Sequence, residues 1–217
     1  MNKELKEIYV IGAGGFGKVV LDTIKEINRI KPSYLIAGFI DDDDSMKNKI
    51  VCGTEIIGGL EYFRNEICQH KRVSAVISIA NPKIKERIVK YLGGMVEWET
   101  IIHPLAYVSE SAEIGSGCVV QNFCSVNSEA VLGDHCSVVC NCLIGHDVVI
   151  GGFSSFMPLS GIGGNCKIST GVFVGIGAIV LQGLSIGSDA VIGPGSLVLN
   201  SVEDGATVMG NPAKRVK

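Results

Sequence analysis

Val131-Leu132-Gly133-Asp134-His135-Cys136-Ser137-Val138-Val139-Cys140-Asn141-Cys142-Leu143-Ile144-Gly145-His146-Asp147-Val148-Val149-Ile150 decides the fold. Leu132, Val138, Ile144 and Ile150 stand six residues apart, and the series runs from Val108 to Val198 without an insertion, apolar at all sixteen positions. An α-helix repeats every 3.6 residues and a strand every two, so neither generates this spacing. A hexapeptide period marks a β-helix. Two residues before each large side chain stands a small or slim one, as at Cys118, Cys124, Ala130, Cys136, Cys142, Ser154 and Ala178. A spacing of two keeps both on one face, so large and small side chains together fill a narrow prism. Three edges make a coil of 18 residues, and sixteen units make a little over five coils, a column about 25 Å tall. Gly often follows the large residue, as at Gly133, Gly145, Gly151 and Gly163, where a corner that needs positive φ would favour it.

The prism accounts for most of the cysteines. Five of the eight occupy the small inward slot, where Cys acts as a small hydrophobe. No CxxC pair occurs, and Cys140-x-Cys142 is a poor ligand spacing, so neither a metal site nor a disulfide framework is expected. Reduced thiols and the absence of an apolar leader at Met1–Glu7 suggest a cytoplasmic protein. Mean hydropathy is +0.36, yet no run of about 20 apolar residues exists to span a membrane. With 217 residues and a net charge of −3, the chain lacks the basic footprint of a nucleic-acid binder.

Upstream of the repeat the pattern changes. Strands at Lys6–Ile11, Leu35–Ile40, Ala75–Ala80 and Glu97–Ile102 alternate with a helical pattern carried by Val19, Val20, Leu21, Ile24 and Ile27 and helices at 60–67 and 81–92. That alternation predicts a small parallel sheet covered on both faces. The expected organisation is therefore α/β plus all-β: a Rossmann-like domain over 1–103 and a β-helix over 104–217. Gly12-x-Gly14-x-x-Gly17, after a strand and before a helix, is a dinucleotide-type fingerprint. Small residues there let the backbone approach a pyrophosphate, and the helix N-terminus favours its charge. Asp41, ending the second strand, is placed to bind a ribose hydroxyl, and Asp42 follows it. A domain of about 100 residues is half of a full dinucleotide fold, so a nucleotide other than NAD fits better; an NAD-dependent enzyme remains a rival reading.

Four histidines are available. His70 lies in a polar stretch and reads as solvated; His103, before Pro104, reads as a structural residue of the junction. His135 and His146 stand 11 apart in an 18-residue coil, so they fall on different sides of the prism and cannot share a metal within one chain. A zinc carbonic anhydrase of β-helix type, which needs three converging histidines, is thereby disfavoured. Ile144 points inward, so Gly145 makes the corner and His146 projects outward, with Ser128 and Gly164 one coil to either side. An imidazole there can serve as a general base, Asp147 can orient it, and Gly164 can bring a bare backbone N–H to an oxyanion.

Ile11-Gly12-Ala13-Gly14-Gly15-Phe16-Gly17, Phe39-Ile40-Asp41-Asp42, Ile102-His103-Pro104, Ile144-Gly145-His146-Asp147 and Gly210-Asn211-Pro212-Ala213-Lys214 occur in that order. Over essentially its whole length the chain resembles the bacterial sugar acetyltransferases with a Rossmann-like N-terminal domain. These include nucleotide-linked amino-sugar N-acetyltransferases (PglD and perosamine types) and sialic acid O-acetyltransferases (NeuD type). The resemblance implies a left-handed β-helix, a homotrimer, and acetyl-CoA bound between neighbouring prisms with no metal. It implies a nucleotide-linked amino sugar at Gly14, Gly15, Asp41 and Asp42, His146 as general base supported by Asp147, and acetyl-CoA at Ser155, Gly164 and Ile176. The chain departs at Phe16 and Ser155, where many amino-sugar members carry His. O-acetylation of sialic acid or another sugar, and a non-catalytic sugar-binding role, are the remaining rivals.

Overall fold

The computed structural model describes residues 5–69 and 72–217; His70 lies outside the described residues. The N-terminal unit is a sheet of order β3-β4-β2-β1-β5-β6, built from β1 (Lys6–Ile11), β2 (Tyr34–Ile40), β3 (Ile50–Val51), β4 (Thr54–Gly58), β5 (Val73–Ile77) and β6 (Val96–Trp98). All neighbours are parallel except β3, which closes one edge as an antiparallel hairpin with β4. That hairpin is absent from the sequence reading because its strands are short and half-polar and turn at Cys52–Gly53, both with positive φ. Helix α1 (Gly15–Ile30) buries Val20, Leu21 and Ile24 against Ile8, Val10 and Phe39 on one face of the sheet. A single turn, α2 (Leu60–Tyr62), continues as a π-helical turn to Ile67. Helix α3 (Pro82–Leu92) packs Ile88 and Leu92 on the opposite face. Asn81 starts α3 by accepting the N–H groups of Lys83 and Ile84, and Pro82 needs no partner at the first turn.

The second unit is a left-handed parallel β-helix whose two-residue strands stack into three sheets. Register advances 18 residues per coil, as in Ser125↔Leu143↔Gly161↔Ile179 on one face. Large inward residues from Val120 to Val198 are buried, with Cys118, Cys124, Ala130, Cys136, Cys142, Ser154 and Ala178 between them, as the two-slot pattern requires. The small slot also has a polar use. Cys118, Cys136, Cys142 and Cys166 each point the thiol at the carbonyl 15 residues on, at 3.0–3.4 Å, and Ser154 does the same to Ser169 at 3.1 Å. A small donor there satisfies a corner carbonyl of the next coil, so Cys and Ser are interchangeable in the slot.

Two expectations change. The glycines after the inward residue do not have positive φ; that conformation falls two residues later, at His135, Asp147, Phe153 and Asn165 among others. A Cβ on Gly145 would lie 2.6 Å from the Gly164 nitrogen, so glycine is required there by the closeness of adjacent coils. The stretch Glu97–Ile102 is also not one strand. Val96–Trp98 joins the N-terminal sheet, whereas Ile101–Ile102 pairs with Val119–Val120 as the first rung of the prism. A division at 103/104 therefore cuts through the first coil.

One prism face carries the N-terminal unit, and we call it the junction face. The outward residues Val119, Ser137 and Ser155 on it are at most 1% exposed. Val119 and Ile101 join the cluster under α1. From α3, Lys85 reaches across and donates to the His135 and Ser154 carbonyls (2.7 and 3.2 Å) and to the Ser137 and Ser155 hydroxyls (3.2 and 2.8 Å). Burial lowers the Lys85 pKa to about 8.

Candidate active site

Each coil turns three corners. The one after Ile144 is built by Gly145, His146, Asp147 and Val148, and its inward members Ile144 and Val148 are buried. Asp147 takes φ +57° at this corner, and its N–H donates to Ser128 O of the coil before at 3.0 Å. In a straight strand the side chains of neighbours diverge; the left-handed conformation swings Asp147 alongside its predecessor. His146 Nδ1 and Asp147 Oδ2 consequently lie 2.7 Å apart, with the side chains 62% and 52% exposed. A carboxylate at Nδ1 holds the proton on that nitrogen and leaves the Nε2 lone pair outward. Nε2 comes to rest over the next coil, 2.5 Å from where a Cβ on Gly164 would be. Only glycine at 164 leaves room for the ring, and it leaves bare backbone beside the reactive nitrogen. Ser128, on the other side, donates nothing to the ring; its hydroxyl accepts from Ser109 at 3.3 Å.

The other residues expected at an acetyl-CoA site do not converge in one protomer. Ile176 is 50% exposed but sits at the corner before Ala178, a different edge of the column. Ser155 is a correction: it faces outward from the junction face, yet it is 0% exposed and its hydroxyl accepts from Lys85. The N-terminal unit of its own chain covers it, so no coenzyme reaches it. Period and phase assign Ser155 to an outer face, but they carry no information on what docks there. His135 and His146 stand at different corners, as the 11-residue spacing requires. His135 is buried between Phe153, stacked at 5.2 Å, and Trp98, edge-on at 5.1 Å. Burial lowers its pKa to about 4. His103 Nδ1 accepts the Leu105 N–H at 3.0 Å. Among the described residues no group of three His, Cys, Asp or Glu is arranged to hold a metal.

A second cleft opens beyond the carboxyl ends of β1 and β2. Gly12 lines it, and the glycines of the loop that follows divide into two kinds. Gly12, with φ +103°, could not carry a Cβ without meeting Ile79 at 2.8 Å, and a Cβ on Gly17 would run into the Gly12 carbonyl. The fold itself requires those two. Gly14 and Gly15 are exposed, have no atom within 4 Å of an added Cβ, and adopt no positive φ. Nothing in the chain demands glycine there, which leaves open space for a molecule lying on the backbone. The Asp41 carboxylate accepts the Ala13 N–H at 2.7 Å and the Asp43 N–H at 3.0 Å, binding the glycine loop to the end of β2. Asp42 Oδ1 accepts the Leu60 N–H at 2.7 Å. Asp41 thus ties the glycine loop to the end of β2, and Asp42 ties the start of α2 beside it. Arg87, Lys47, Tyr62 and Tyr91 also line the cleft or the cavity of about 550 Å³ beside it. The sequence offered no signal for these four, because they come from a helix face and loops outside any motif.

Comparison with known proteins agrees with both halves of this architecture. Residues 7–92 match the family model described as PglD N-terminal domain. The chain is 30% identical to GDP-perosamine N-acetyltransferase of Escherichia coli O157:H7 over 216 residues, covering 96% of this chain and 95% of that protein. Its structure is similar to that of the acetyltransferase domain of PglB from Neisseria gonorrhoeae FA1090, with a TM-score of 0.88, 29% identity, and coverage of 97% of this chain and 100% of that one. The same domain in complex with acetyl coenzyme A gives a TM-score of 0.87 at 28% identity over 98% of this chain and 100% of that one.

Proposed function

The chain belongs to the sugar acetyltransferase family that joins a PglD-type N-terminal domain to a hexapeptide prism, and from that membership we propose that it transfers acetyl from acetyl-CoA to the amine of a nucleotide-linked amino sugar. The observation that carries the reading is the His146 imidazole, held at Nδ1 by Asp147 and directed over Gly164 at Nε2. In this reading both substrates bind together. The amine nitrogen attacks the thioester carbonyl while Nε2 accepts the amine proton. Backbone N–H groups at the corner stabilise the tetrahedral oxyanion. The C–S bond then breaks, the imidazolium returns its proton to the departing sulfur, and the products are an acetamide and free CoA. No acyl-enzyme is formed: five of the six prism thiols face inward, and burial pushes the Cys166 thiol up, away from the thiolate a nucleophile needs.

The working unit proposed is a homotrimer. Gly164 and Ile176 occupy different corners of one column, and a neighbouring copy is what brings such corners together around acetyl-CoA. The outward side chains Tyr107, Leu143 and Ile179, stacked on one face and about half exposed, support a protein partner there. Gly14, Gly15 and Asp42 are assigned to the nucleotide-linked sugar, and the site of action is the cytoplasm. The test is CoA thiol release from acetyl-CoA with a panel of nucleotide-linked amino sugars and, in parallel, free sialic acid. Release with an amino sugar alone supports N-acetylation. Release with sialic acid alone contradicts it in favour of O-acetylation, and no release with any acceptor contradicts both.

A further inference from the structure

We infer that the Arg87 guanidinium clamps the diphosphate of the nucleotide-linked substrate against the glycine loop; this rests on the N-terminal cleft being the nucleotide-sugar site. Two adjoining cavities open at this end of the sheet, a narrow one of about 130 Å³ on Gly12 and Asp41 and the wider one of about 550 Å³. Arg87 lines both, and it is the one cation that lines the narrow cavity among the described residues. Lys47 lines only the wide one. Arg87 is exposed and makes no ion pair or hydrogen bond with any described residue. Three of the other four arginines are engaged, Arg29 with Glu26, Arg215 with Glu203, and Arg64 over the Tyr91 ring at 4.6 Å; Arg72 lines neither cavity.

Charge gives that uncommitted guanidinium a task. Asp41 and Asp42 turn their carboxylates into the cleft to hold backbone N–H groups. They set two negative charges beside the loop. A diphosphate brought to Gly14 and Gly15 meets that field and needs a cation within reach. The first turn of α1 supplies part of the compensation, since this 16-residue helix has no side-chain cap and no acid in its first turn. Arg87 supplies a full charge and a planar fork of donors that matches two phosphate oxygens at once, which a lysine ammonium does not. The base and ribose then extend into the wider cavity.

Titration calorimetry of the full-length protein tests this with GDP and UDP as probes, acetyl-CoA as a control for an intact prism, and inorganic pyrophosphate as competitor. The wild type is expected to bind at least one diphosphate and to lose it to pyrophosphate. Arg87→Gln is expected to weaken that diphosphate at least tenfold and to abolish competition, with acetyl-CoA affinity unchanged, and Arg87→Lys to fall between. A loss below tenfold in Arg87→Gln, or Arg87→Lys equal to wild type, overturns the clamp while leaving the cleft as the nucleotide site. Wild-type protein that binds neither diphosphate overturns the nucleotide-sugar reading of the cleft, and the clamp with it.

Discussion

Asp147 occupies a left-handed backbone position that costs a residue with a Cβ roughly 1 kcal/mol, and that conformation is what brings its carboxylate to His146. Asp147→Gly would relieve the backbone and remove the carboxylate together. Its melting temperature is expected to match or exceed that of the wild type, while kcat falls by roughly tenfold to a hundredfold. A variant with full activity would show that the carboxylate does not support the imidazole. Gly164→Ala sends a methyl to within 2.5 Å of Nε2, at a residue without positive φ. The expected result is a loss of kcat of at least tenfold with little change in melting temperature. The placement of His146, Asp147 and Gly164 at one corner was legible in the sequence because phase around an 18-residue coil places side chains at corners. The contact between His146 and Asp147 was expected only on condition of the corner, and the positive φ of Asp147 is what meets that condition. Glycine was legible in position but not in cause: the period locates Gly145, and only the coil-to-coil approach explains it.

At the scale of elements, α3 carries the interface. Lys85 enters the junction face with four oxygen acceptors and no carboxylate, and Arg87, two residues on, lines the cleft at Gly12. A lysine whose pKa drops from 10.5 to about 8 in the folded protein binds its proton less well there than in the unfolded chain. Stability should therefore rise with pH between about 8 and 10.5. Melting curves across that range should show the rise in wild type and lose it in Lys85→Met. The neighbouring His135, held near 4 against an ordinary 6.5, acts on the acid side. The unfolded chain takes up the proton first, so stability is full above 6.5 and falls as pH drops towards 4. His135→Phe should flatten that limb. Phe153 already occupies the equivalent left-handed position one coil on, so the corner accepts a phenyl ring. The hexad repeat made the prism strands between Val108 and Val198 legible, but not the first rung at Ile101–Ile102 or the strands after Val198, and not the docking of α1 and α3 on one face. Burial of Ser155 and Lys85 follows from a contact between units far apart in sequence, and no local pattern encodes it.

The whole molecule joins an α/β unit to a prism that buries five of its thiols and exposes the His146 imidazole at one corner. Native protein should react with a thiol reagent at exposed Cys52 and more slowly at part-exposed Cys140, with the other six titrating only on unfolding. Rapid modification of all eight would contradict the packing. The prism, the cleft at Gly12 and the corner that carries His146 follow from periodic and motif-level patterns; the proposed second copy does not, because outward apolar residues such as Leu143 and Ile179 do not name what would cover them. Light scattering is expected to return three chains per particle, and a monomer would leave Gly164 and Ile176 on separate edges. The most direct test of the central claim is turnover of purified His146→Asn with acetyl-CoA and the nucleotide amino sugar that the wild type accepts. The account predicts a kcat lower by at least a hundredfold, with the trimer and the affinity for acetyl-CoA retained; turnover within a few-fold of wild type would contradict it.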